Sequence, residues 1–421
     1  MDEIISKVRG QVLRELDLTR EVPDEEIEDL IARIVSQECR EHPISLSQRI
    51  YLEKAVFNGL RKLDVLQELV DNPEITEIMV NGHKNIFYEK DGQIHKYPGG
   101  FSSEEKMQDV IQQIVGRHNR VVNQSSPIVD TRLADGSRVN IVLSPISIDG
   151  SSISIRKFPE HPMEMRQLIR IHSLSEEVAQ VLKTLVKARY NIFISGGTGS
   201  GKTTFLNALS QYIPDDERII TIEDSAELQL LDAQNLVRLE TRNANLDGVQ
   251  EISVRDLIRS ALRMRPDRII VGECRGGETL DMLAAMNTGH DGSLSTGHAN
   301  SPRDMLSRLE TMVIMGKDLP LPAIRSQIAS GIDIIVQLGR LRDRSRKVLE
   351  IVELNGVKDG EVQTNTLYKF QEEAQVKAGS MEELERMRHQ KVQGALVRVG
   401  KLMHREKLQA AGLEGVLTDG L

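Results

Sequence analysis

Eight consecutive residues, Gly196–Thr203, have the spacing of a loop that cradles phosphate groups. Glycines allow successive backbone amides to turn toward bound phosphates, and the N-terminus of a following helix adds partial positive charge. Lys202 is placed to reach the outer phosphates, and the Thr203 hydroxyl is a suitable ligand for Mg²⁺. The sequence therefore predicts a site for a nucleoside triphosphate with magnesium. The residues predicted to contact the nucleotide are Gly196, Gly197, Thr198, Gly199, Ser200, Gly201, Lys202, Thr203 and Thr204.

Acidic side chains follow two later apolar segments, each of which is predicted to be a buried strand of a parallel sheet. Glu223 and Asp224 end the first segment, and Glu273 ends the second. Because ligands of open parallel sheets bind beyond the carboxyl ends of the strands, these carboxylates are expected beside the triphosphate. We predict that Thr203, Glu223 and Asp224 hold the magnesium ion. Glu273 is the best candidate to orient or deprotonate the attacking water, with Glu223 as the second candidate for that role.

These assignments have plainer alternatives. Magnesium-binding strands usually end in Asp-Glu, whereas Gly272 precedes Glu273 here, so the metal is assigned to the other strand end. Glu273 or Asp224 could instead only cap a helix or pair with Arg275. A chance glycine-rich turn is the alternative for the phosphate loop, but the match of eight positions and of both flanking elements disfavours it.

Two histidines, His290 and His298, lie in a segment of small residues at 287–300. The small neighbours predict tight backbone packing close to the nucleotide. A histidine there could contact the γ-phosphate and report its presence, although a structural histidine with satisfied hydrogen bonds explains the pattern equally well. Cys274 is expected to be a small core residue rather than a nucleophile.

The phosphate loop needs a strand before it and a helix after it, and the sequence supplies both. Residues 191–195 are apolar enough for a short buried strand, and a helix is predicted from Thr203 onward. Apolar segments at 218–222 and 268–271 alternate with helical segments, which favours an α/β fold with a mostly parallel, covered sheet. Two further segments could form a terminal hairpin: residues 332–338 and 347–354.

Hydrophobic periodicity divides the whole chain into regions. Apolar residues at helical spacing predict helices near the N-terminus, and alternating residues with Gly-containing turns predict a domain of strands and one helix after them. The predicted regions are a helical segment at 1–70, an α+β domain at 71–157, a linker at 158–172, a nucleotide-binding domain at 173–370 and a helical appendage at 371–421.

The composition excludes several classes of protein. The 421 residues have 39% hydrophobic and 28% charged content, as globular proteins do, and no apolar run approaches the roughly 18 residues of a membrane span. Cys39 and Cys274 are the only cysteines, which excludes a disulfide framework and a four-cysteine zinc site. The acidic N-terminus does not resemble a secretory signal, so a reducing cytoplasm is the simplest compartment. A net charge of −9, no Trp and 3% aromatic residues disfavour nucleic acid as a partner.

Four ordered motifs together resemble the secretion ATPase superfamily, whose members power type II and type IV secretion and type IV pili. They are GGTGSGKT, RIITIEDSAEL, RMRPDRIIVGECRGGET and NTGHDGSLSTGHANSP. The spellings VRLETR and RMRPDRIIVGE resemble the CpaF/TadA branch, which assembles tight-adherence pili. Upstream segments EITEIMVNG, RLADGSRVNIV and SISIRKF agree with it, so that the resemblance covers about residues 45–370.

The resemblance implies roles for particular residues. The C-terminal domain is expected to be RecA-like and to bind ATP. Glu223 and Asp224 match the acidic segment called the Asp box, Glu273 matches the Walker B glutamate, and His298 matches the histidine box.

The resemblance also implies that two arginines of the preceding domain, Arg138 and Arg156, reach the nucleotide across a domain or subunit boundary. An arginine supplied in this way compensates charge that develops on the γ-phosphoryl group. Hydrolysis would then depend on domain placement, with the linker at 158–172 as the hinge. Surface ion pairs are the alternative interpretation of both arginines.

Members of the superfamily are hexameric rings at the cytoplasmic face of the inner membrane. The resemblance therefore implies a homo-hexamer, located peripherally on the membrane, with a platform protein of the pilus or secretion system as its partner. The paired CxxC module of some type II secretion ATPases is absent, so zinc is not expected.

The leading hypothesis is a hexameric ATPase motor for tight-adherence pilus assembly. A type IV secretion or pilus-retraction ATPase is the alternative within the superfamily. An ATP-gated scaffold with little turnover and a nucleic-acid translocase are the alternatives from other classes.

Overall fold

The computed structural model describes residues 2–17, 19–20, 22–41, 44–117, 120–158, 162–242, 250–373 and 391–417. The chain forms two compact units, Met1–Glu160 and His161–Leu421. No helix in these ranges has the length and apolar character that crossing a membrane requires.

The first unit begins with helices whose apolar stripes pack together. Three acidic residues in the first turn of the second helix favour its start, because they interact with the positive end of the helix dipole. Val12, Ile31 and Leu52 are buried members of one apolar cluster that the first three helices share. The helices are α1 Asp2–Glu15, α2 Asp24–Glu41, α3 Leu46–Arg61 and α4 Leu66–Asp71.

An antiparallel sheet and one helix complete the first unit. The sheet has the strand order β3-β2-β1-β6-β5-β4, and the buried residues of helix α5 share an apolar core with its alternating inward residues. The elements are β1 Ile75–Asn81, β2 Asn85–Lys90, β3 Gln93–Lys96, α5 Glu104–Gly116, β4 Ile128–Arg132, β5 Arg138–Val142 and β6 Ser152–Arg156.

The second unit is built on a nine-stranded sheet with the order β15-β14-β13-β12-β7-β11-β10-β8-β9. The six strands from β12 to β9 in this order are parallel, whereas β13, β14 and β15 are antiparallel additions. The predicted α/β fold is confirmed, and β12 and β13 form the predicted hairpin. The strands are β7 Ile192–Gly196, β8 Ile219–Glu223, β9 Leu236–Glu240, β10 Arg268–Val271, β11 Leu294–Gly297, β12 Ile334–Arg340, β13 Arg346–Lys358, β14 Glu361–Glu372 and β15 Gly394–Arg398.

Helices pack against this sheet, and buried residues of helices and strands together form two large apolar clusters, which are the core of the unit. The central strands are buried over their full length, which explains why they read as continuous apolar segments. The helices are α6 Met165–Arg170, α7 Glu176–Lys187, α8 Lys202–Ser210, α9 Val254–Ala261, α10 Thr279–Met286, α11 Pro302–Gly316, α12 Leu321–Gly331 and α13 Glu406–Ala410, and a 3₁₀ turn follows at Glu414–Leu417.

Two segments differ from the sequence-based expectation. Part of the linker predicted at 158–172 is helix α6, whose Met165 and Leu168 are buried in the core of the second unit. The C-terminal segment was predicted to be a helical appendage, but its described part contains strand β15, which pairs with β14, and only a short helix, α13. The charged residues 374–390, which carried much of the helical pattern, lie outside the described residues.

Candidate active site

The phosphate loop connects the end of β7 to the start of α8. Strand β7 lies between β11 and β12 and is fully buried, which fixes the direction in which the loop leaves the sheet. Gly199 and Gly201 have φ angles of 70° and 91°. Residues that have a side chain rarely adopt φ angles in this left-handed region, so glycine at these two positions allows the tight turn. The first helical residue of α8 is Lys202.

Lys202 is buried, and its ammonium group is held at the mouth of the loop. The Nζ atom donates hydrogen bonds to the carbonyl oxygens of Gly196 and Gly197, both at 3.1 Å. It also lies 3.1 Å from Nδ1 of His298. The side chain therefore joins the phosphate loop to the residue that follows β11.

His298 stands between Lys202 and Glu273. Its Nε2 atom lies 2.8 Å from Oε1 of Glu273, which follows β10. Within the described residues, Oε1 of Glu273 accepts no hydrogen bond of good geometry, so this contact is a close electrostatic approach without an aligned N–H. Burial lowers the pKa of His298, the nearby Glu273 carboxylate opposes this shift, and Lys202 and nearby arginines add to the lowering. If Lys202 donates to Nδ1, the proton of a neutral ring is carried by Nε2.

Arg275 connects the two acidic strand ends. Its Nη2 donates to Oε2 of Glu273 at 2.8 Å, and its Nη1 lies 3.8 Å from Oδ2 of Asp224. The hydrogen bond to Glu273 is the largest cause of the raised pKa of Arg275. The ion pair considered as an alternative for Glu273 is thus present. Glu273 faces His298 at the same time, so the pairing does not remove it from the site.

Glu223 is buried, with 4% of its surface exposed. Its Oε2 accepts hydrogen bonds from the backbone amides of Glu227 at 2.7 Å and Leu228 at 2.9 Å, while Oε1 has no hydrogen-bond partner in the part of the chain that the structure describes. Burial raises the pKa of Glu223 to about 7. A Cβ atom at Gly272 would lie 2.9 Å from Cγ of Glu223. Glycine in place of the expected Asp therefore makes room for the Glu223 side chain.

Among the described residues, no group of three or more His, Cys, Asp or Glu side chains is arranged to hold a metal ion. A magnesium ion at this edge would need Thr203, water and phosphate oxygens to complete its shell. The buried Glu223 oxygen without a partner is compatible with a nearby cation, because a cation would satisfy its remaining lone pairs.

The other residues singled out by the sequence occupy different positions. His290 precedes β11 and His298 follows it, so the two histidines lie at opposite ends of that strand. His290 lies 3.3 Å from the Ala285 carbonyl oxygen and is not beside the phosphate loop. Cys274 is buried against Met282, and burial raises the pKa of its thiol to about 12, as expected of a core residue.

Arg138 and Arg156 lie in the first unit on adjacent antiparallel strands. They are directly opposite each other in the register of β5 and β6. Arg156 is exposed, and its Nε atom lies 4.0 Å from Oε1 of Glu77. The structure therefore brings the two arginines together on one sheet, and it pairs Arg156 loosely with a carboxylate of the same unit.

One residue next to the loop was not singled out from the sequence. Nε of Arg346, the first residue of β13, donates to the Gly199 carbonyl oxygen at 2.9 Å. The sequence feature that could have pointed to Arg346 is the run of basic residues at 340–347, in the turn of the predicted hairpin. Its position beside the loop depends on β12 pairing with β7, which local patterns do not specify.

A strand, a glycine-rich loop, a helix and acidic residues at neighbouring strand ends define the class of P-loop nucleotide-binding α/β proteins. Two solved structures share this fold. The pilus retraction motor PilT, determined with bound ADP, is 20% identical with a TM-score of 0.53 and covers 85% of this chain and 88% of its own. The DotB ATPase of Legionella pneumophila is 22% identical with a TM-score of 0.52 and covers 68% and 79%. The second unit therefore has a RecA-like fold.

Residues 60–411 match the model of the type II/IV secretion system protein family, and the chain belongs to this family. A putative conjugal transfer protein of Mycobacterium tuberculosis is 33% identical over 72% of this chain and 87% of its own length. The conjugal transfer protein TrbB of Rhizobium radiobacter is 31% identical over 74% and 94%. The type IV secretion system protein PtlH of Bordetella pertussis is 32% identical over 69% and 93%.

Proposed function

We propose that this chain hydrolyses ATP and that its hexameric rings use the energy to assemble tight-adherence pili at the inner membrane. One observation supports the catalytic part, namely the line of contacts from Lys202 through His298 to Glu273. It joins the group that would hold the outer phosphates to the group that would accept a proton from water. Because these residues sit at the carboxyl ends of neighbouring buried strands, their spacing is set before nucleotide binds.

ATP would replace the contacts that Lys202 makes with its own loop. Phosphate oxygens are charged and are stronger acceptors than the Gly196 and Gly197 carbonyls. Once Lys202 turns to the phosphates, Nδ1 of His298 loses its donor and the ring can respond to the γ-phosphate. Glu273 would then take the proton of the attacking water.

Magnesium would be held by Thr203 together with Glu223 or Asp224, and it would neutralise charge on the β- and γ-phosphates. The carboxyl group of Glu223 is already fixed by two backbone amides, so only its second oxygen is available to this role. Asp224 is more exposed, and its Oδ2 lies 3.8 Å from Nη1 of Arg275.

We propose that Arg138 and Arg156 complete the site of a neighbouring subunit. Their placement opposite each other on β5 and β6 would present two positive charges from one surface. Compensation of the γ-phosphoryl charge by such an arginine is worth about three to five decades in rate. The hexamer and the membrane platform partner follow from the family resemblance.

The branch of the family is supported by short spellings. VRLETR and RMRPDRIIVGE favour tight-adherence pilus assembly. The printed functions of the relatives, conjugal transfer and type IV secretion, favour the alternative of a type IV secretion ATPase. Deleting the gene separates the two, because loss of surface pili with intact conjugation supports the first and loss of transfer with intact pili supports the second.

The catalytic proposal is tested by measuring ATP turnover and nucleotide binding for two variants. Lys202→Ala should abolish turnover and weaken binding, since the phosphates lose their cation. Glu273→Gln should bind ATP yet hydrolyse it at least about a hundredfold more slowly, because the amide cannot accept a proton. Lys187→Ala, an exposed lysine at the end of α7, is the control and should behave as wild type.

Normal turnover by Lys202→Ala would reject the site. Unchanged turnover by Glu273→Gln would transfer the role of base to Glu223. If the wild-type ring binds ATP tightly without measurable hydrolysis, the scaffold interpretation replaces the motor.

A further inference from the structure

Arg346 contacts the outside of the phosphate loop from a distant part of the chain. Its side chain is exposed, and its one side-chain hydrogen bond within the described ranges is that from Nε to the Gly199 carbonyl oxygen, at 2.9 Å. The aliphatic part of the Arg346 side chain also lies close to the loop. If Gly201 had a Cβ atom, that atom would be 3.4 Å from Cδ of Arg346.

The bonded carbonyl belongs to a peptide group that could otherwise rotate easily. Gly199 has a φ of 70°, and Gly201, two residues later, has a φ of 91°. Glycine passes between left- and right-handed regions at low cost, so the backbone torsion angles of the two glycines restrain these peptide planes only weakly. The same peptide group carries the Ser200 amide, which donates to the Gly197 carbonyl at 3.3 Å. A donor on the Gly199 oxygen therefore also fixes the direction of the Ser200 N–H.

In a phosphate-binding loop of this type, the backbone N–H groups must point toward the phosphate and the carbonyl groups must point away from it. A guanidinium group suits the outward carbonyl, because a charged donor makes a stronger hydrogen bond than a neutral one. The positive charge also adds to the field that attracts an anion to the loop.

The backbone of Arg346 is itself held firmly. Its carbonyl oxygen accepts a hydrogen bond from Oγ of Ser173 at 2.8 Å, and the next side chain, Lys347, donates to the His172 carbonyl at 2.9 Å. Two residues on, the Val348 amide donates to the Ser173 carbonyl. Arg346 thus lies between the phosphate loop and residues 172–173, which lead into α7.

We propose that Arg346 is a positioning residue that holds the Gly199–Ser200 peptide in the phosphate-binding orientation and ties the loop to residues 172–173. This inference rests on the proposed function of the loop as a nucleotide site. It predicts that loss of the guanidinium weakens nucleotide binding while the chemical step, carried by groups on the other side of the loop, proceeds normally in the bound complex.

The test compares Arg346→Ala and Arg346→Lys with a matched control in the full-length protein. Arg340→Ala is the control, because Arg340 is exposed and faces Arg346 across the β12–β13 hairpin, and its side chain makes no hydrogen bond or ion pair within the described residues. Measured quantities are the Kd for ADP, the KM and kcat for ATP, and the thermal unfolding midpoint without nucleotide.

Arg346→Ala should raise the Kd for ADP and the KM for ATP by about tenfold, the effect of one charge-assisted hydrogen bond, with kcat within about twofold of wild type. Arg346→Lys should recover part of the loss, since an ammonium can also donate to the carbonyl. The nucleotide-free midpoints of all variants should agree. Ser173→Ala removes the hydrogen bond to the Arg346 carbonyl oxygen but leaves the Arg346 side chain unchanged. It should raise the KM for ATP by a smaller factor, and it serves as the test if Arg346→Ala does not fold.

Failure of the wild-type protein to bind ADP would reject the nucleotide site itself, and with it the proposed function. If wild type binds and Arg346→Ala binds equally well, the positioning role is wrong. A loss of kcat at unchanged KM, or an equal loss in Arg340→Ala, would also overturn it, because the effect would then belong to the chemical step or to general surface charge.

Discussion

At the scale of single residues, the absence of a side chain at Gly272 decides the state of Glu223. An added Cβ would collide with the carboxylate stem, so any other residue there would displace Glu223 from its buried position. Buried carboxyls are destabilised in their charged form, which is why the pKa of Glu223 rises from its ordinary 4.5 to about 7. Without magnesium, the site therefore contains a carboxyl group that is half protonated near neutral pH.

This state predicts a pH-dependent stability difference between wild type and Glu223→Gln. Because the pKa of Glu223 is higher in the folded than in the unfolded protein, protonated Glu223 stabilises the fold. This stabilisation is fully present below about pH 4.5 and is lost as the pH rises through about 7. Glutamine mimics the protonated form and does not titrate. Relative to wild type, the variant should gain up to about 3 kcal/mol in the free energy of unfolding between pH 4.5 and pH 8.

The measurement is denaturant unfolding across that pH range, without nucleotide or magnesium. Parallel pH profiles for the two proteins would show that folding does not raise the pKa of Glu223, contrary to this prediction.

At the scale of elements, the C-terminal segment is part of the second unit. Strand β15 covers the edge of β14, and Leu402 and Leu408 are buried in the main core. Lys407 on α13 donates to Oδ2 of Asp333 at 2.6 Å and pairs with Asp291 at 2.7 Å. The same Asp333 oxygen accepts from the Asn191 amide at 2.7 Å, directly before β7. The segment therefore braces the amino end of the strand that leads to the phosphate loop.

This packing predicts that Leu408→Ala destabilises the second unit. The side chain is fully buried, and truncation of a buried leucine to alanine costs about 2–5 kcal/mol through lost burial and the cavity left behind. Val416→Ala is the control, since Val416 is 51% exposed and should change stability by less than about 0.5 kcal/mol.

Thermal unfolding followed by circular dichroism, with and without ADP, measures both variants. Equal midpoints for Leu408→Ala and wild type would mean that the C-terminal segment does not contribute to the folded core.

At the scale of the whole molecule, the candidate catalytic groups are divided between two units. The phosphate loop, Glu273 and His298 belong to the second unit, whereas Arg138 and Arg156 belong to the first. A site completed by a neighbouring subunit would make hydrolysis depend on how subunits are arranged, and nucleotide could in turn change that arrangement.

This division predicts complementation between inactive variants. Arg138→Ala or Arg156→Ala alone should hydrolyse ATP at least about a hundredfold more slowly than wild type. Mixed rings of either arginine variant with Lys202→Ala subunits should regain activity. In such rings the arginine variant supplies an intact phosphate loop, and a neighbouring Lys202→Ala subunit supplies both arginines. A mixture of Lys202→Ala with Glu273→Gln should regain none, because both defects lie in the same unit.

Turnover is measured after subunits are unfolded and reassembled together. Absence of recovery in the arginine mixtures, with mixed rings verified by differently tagged subunits, would exclude a role across subunits.

Features that depend on neighbouring residues could be predicted from the order of amino acids. The phosphate loop is contiguous, its flanking strand and helix are adjacent, and the carboxylates come directly after apolar strands, so spacing alone predicts their place at one edge of a parallel sheet. The hairpin of β12 and β13 followed for the same reason.

Contacts between residues that are far apart in the chain depend on how the strands are arranged in the folded protein. Arg346 reaches Gly199 across 147 residues because β12 pairs with β7, and Gly272 accommodates Glu223 because β10 pairs with β8. Strand β15 pairs with the edge of β14, although the local pattern predicted a helix in the C-terminal segment. Local spacing fixes the path of a backbone over a few residues, whereas the order of strands in a sheet is set by the packing of the whole core.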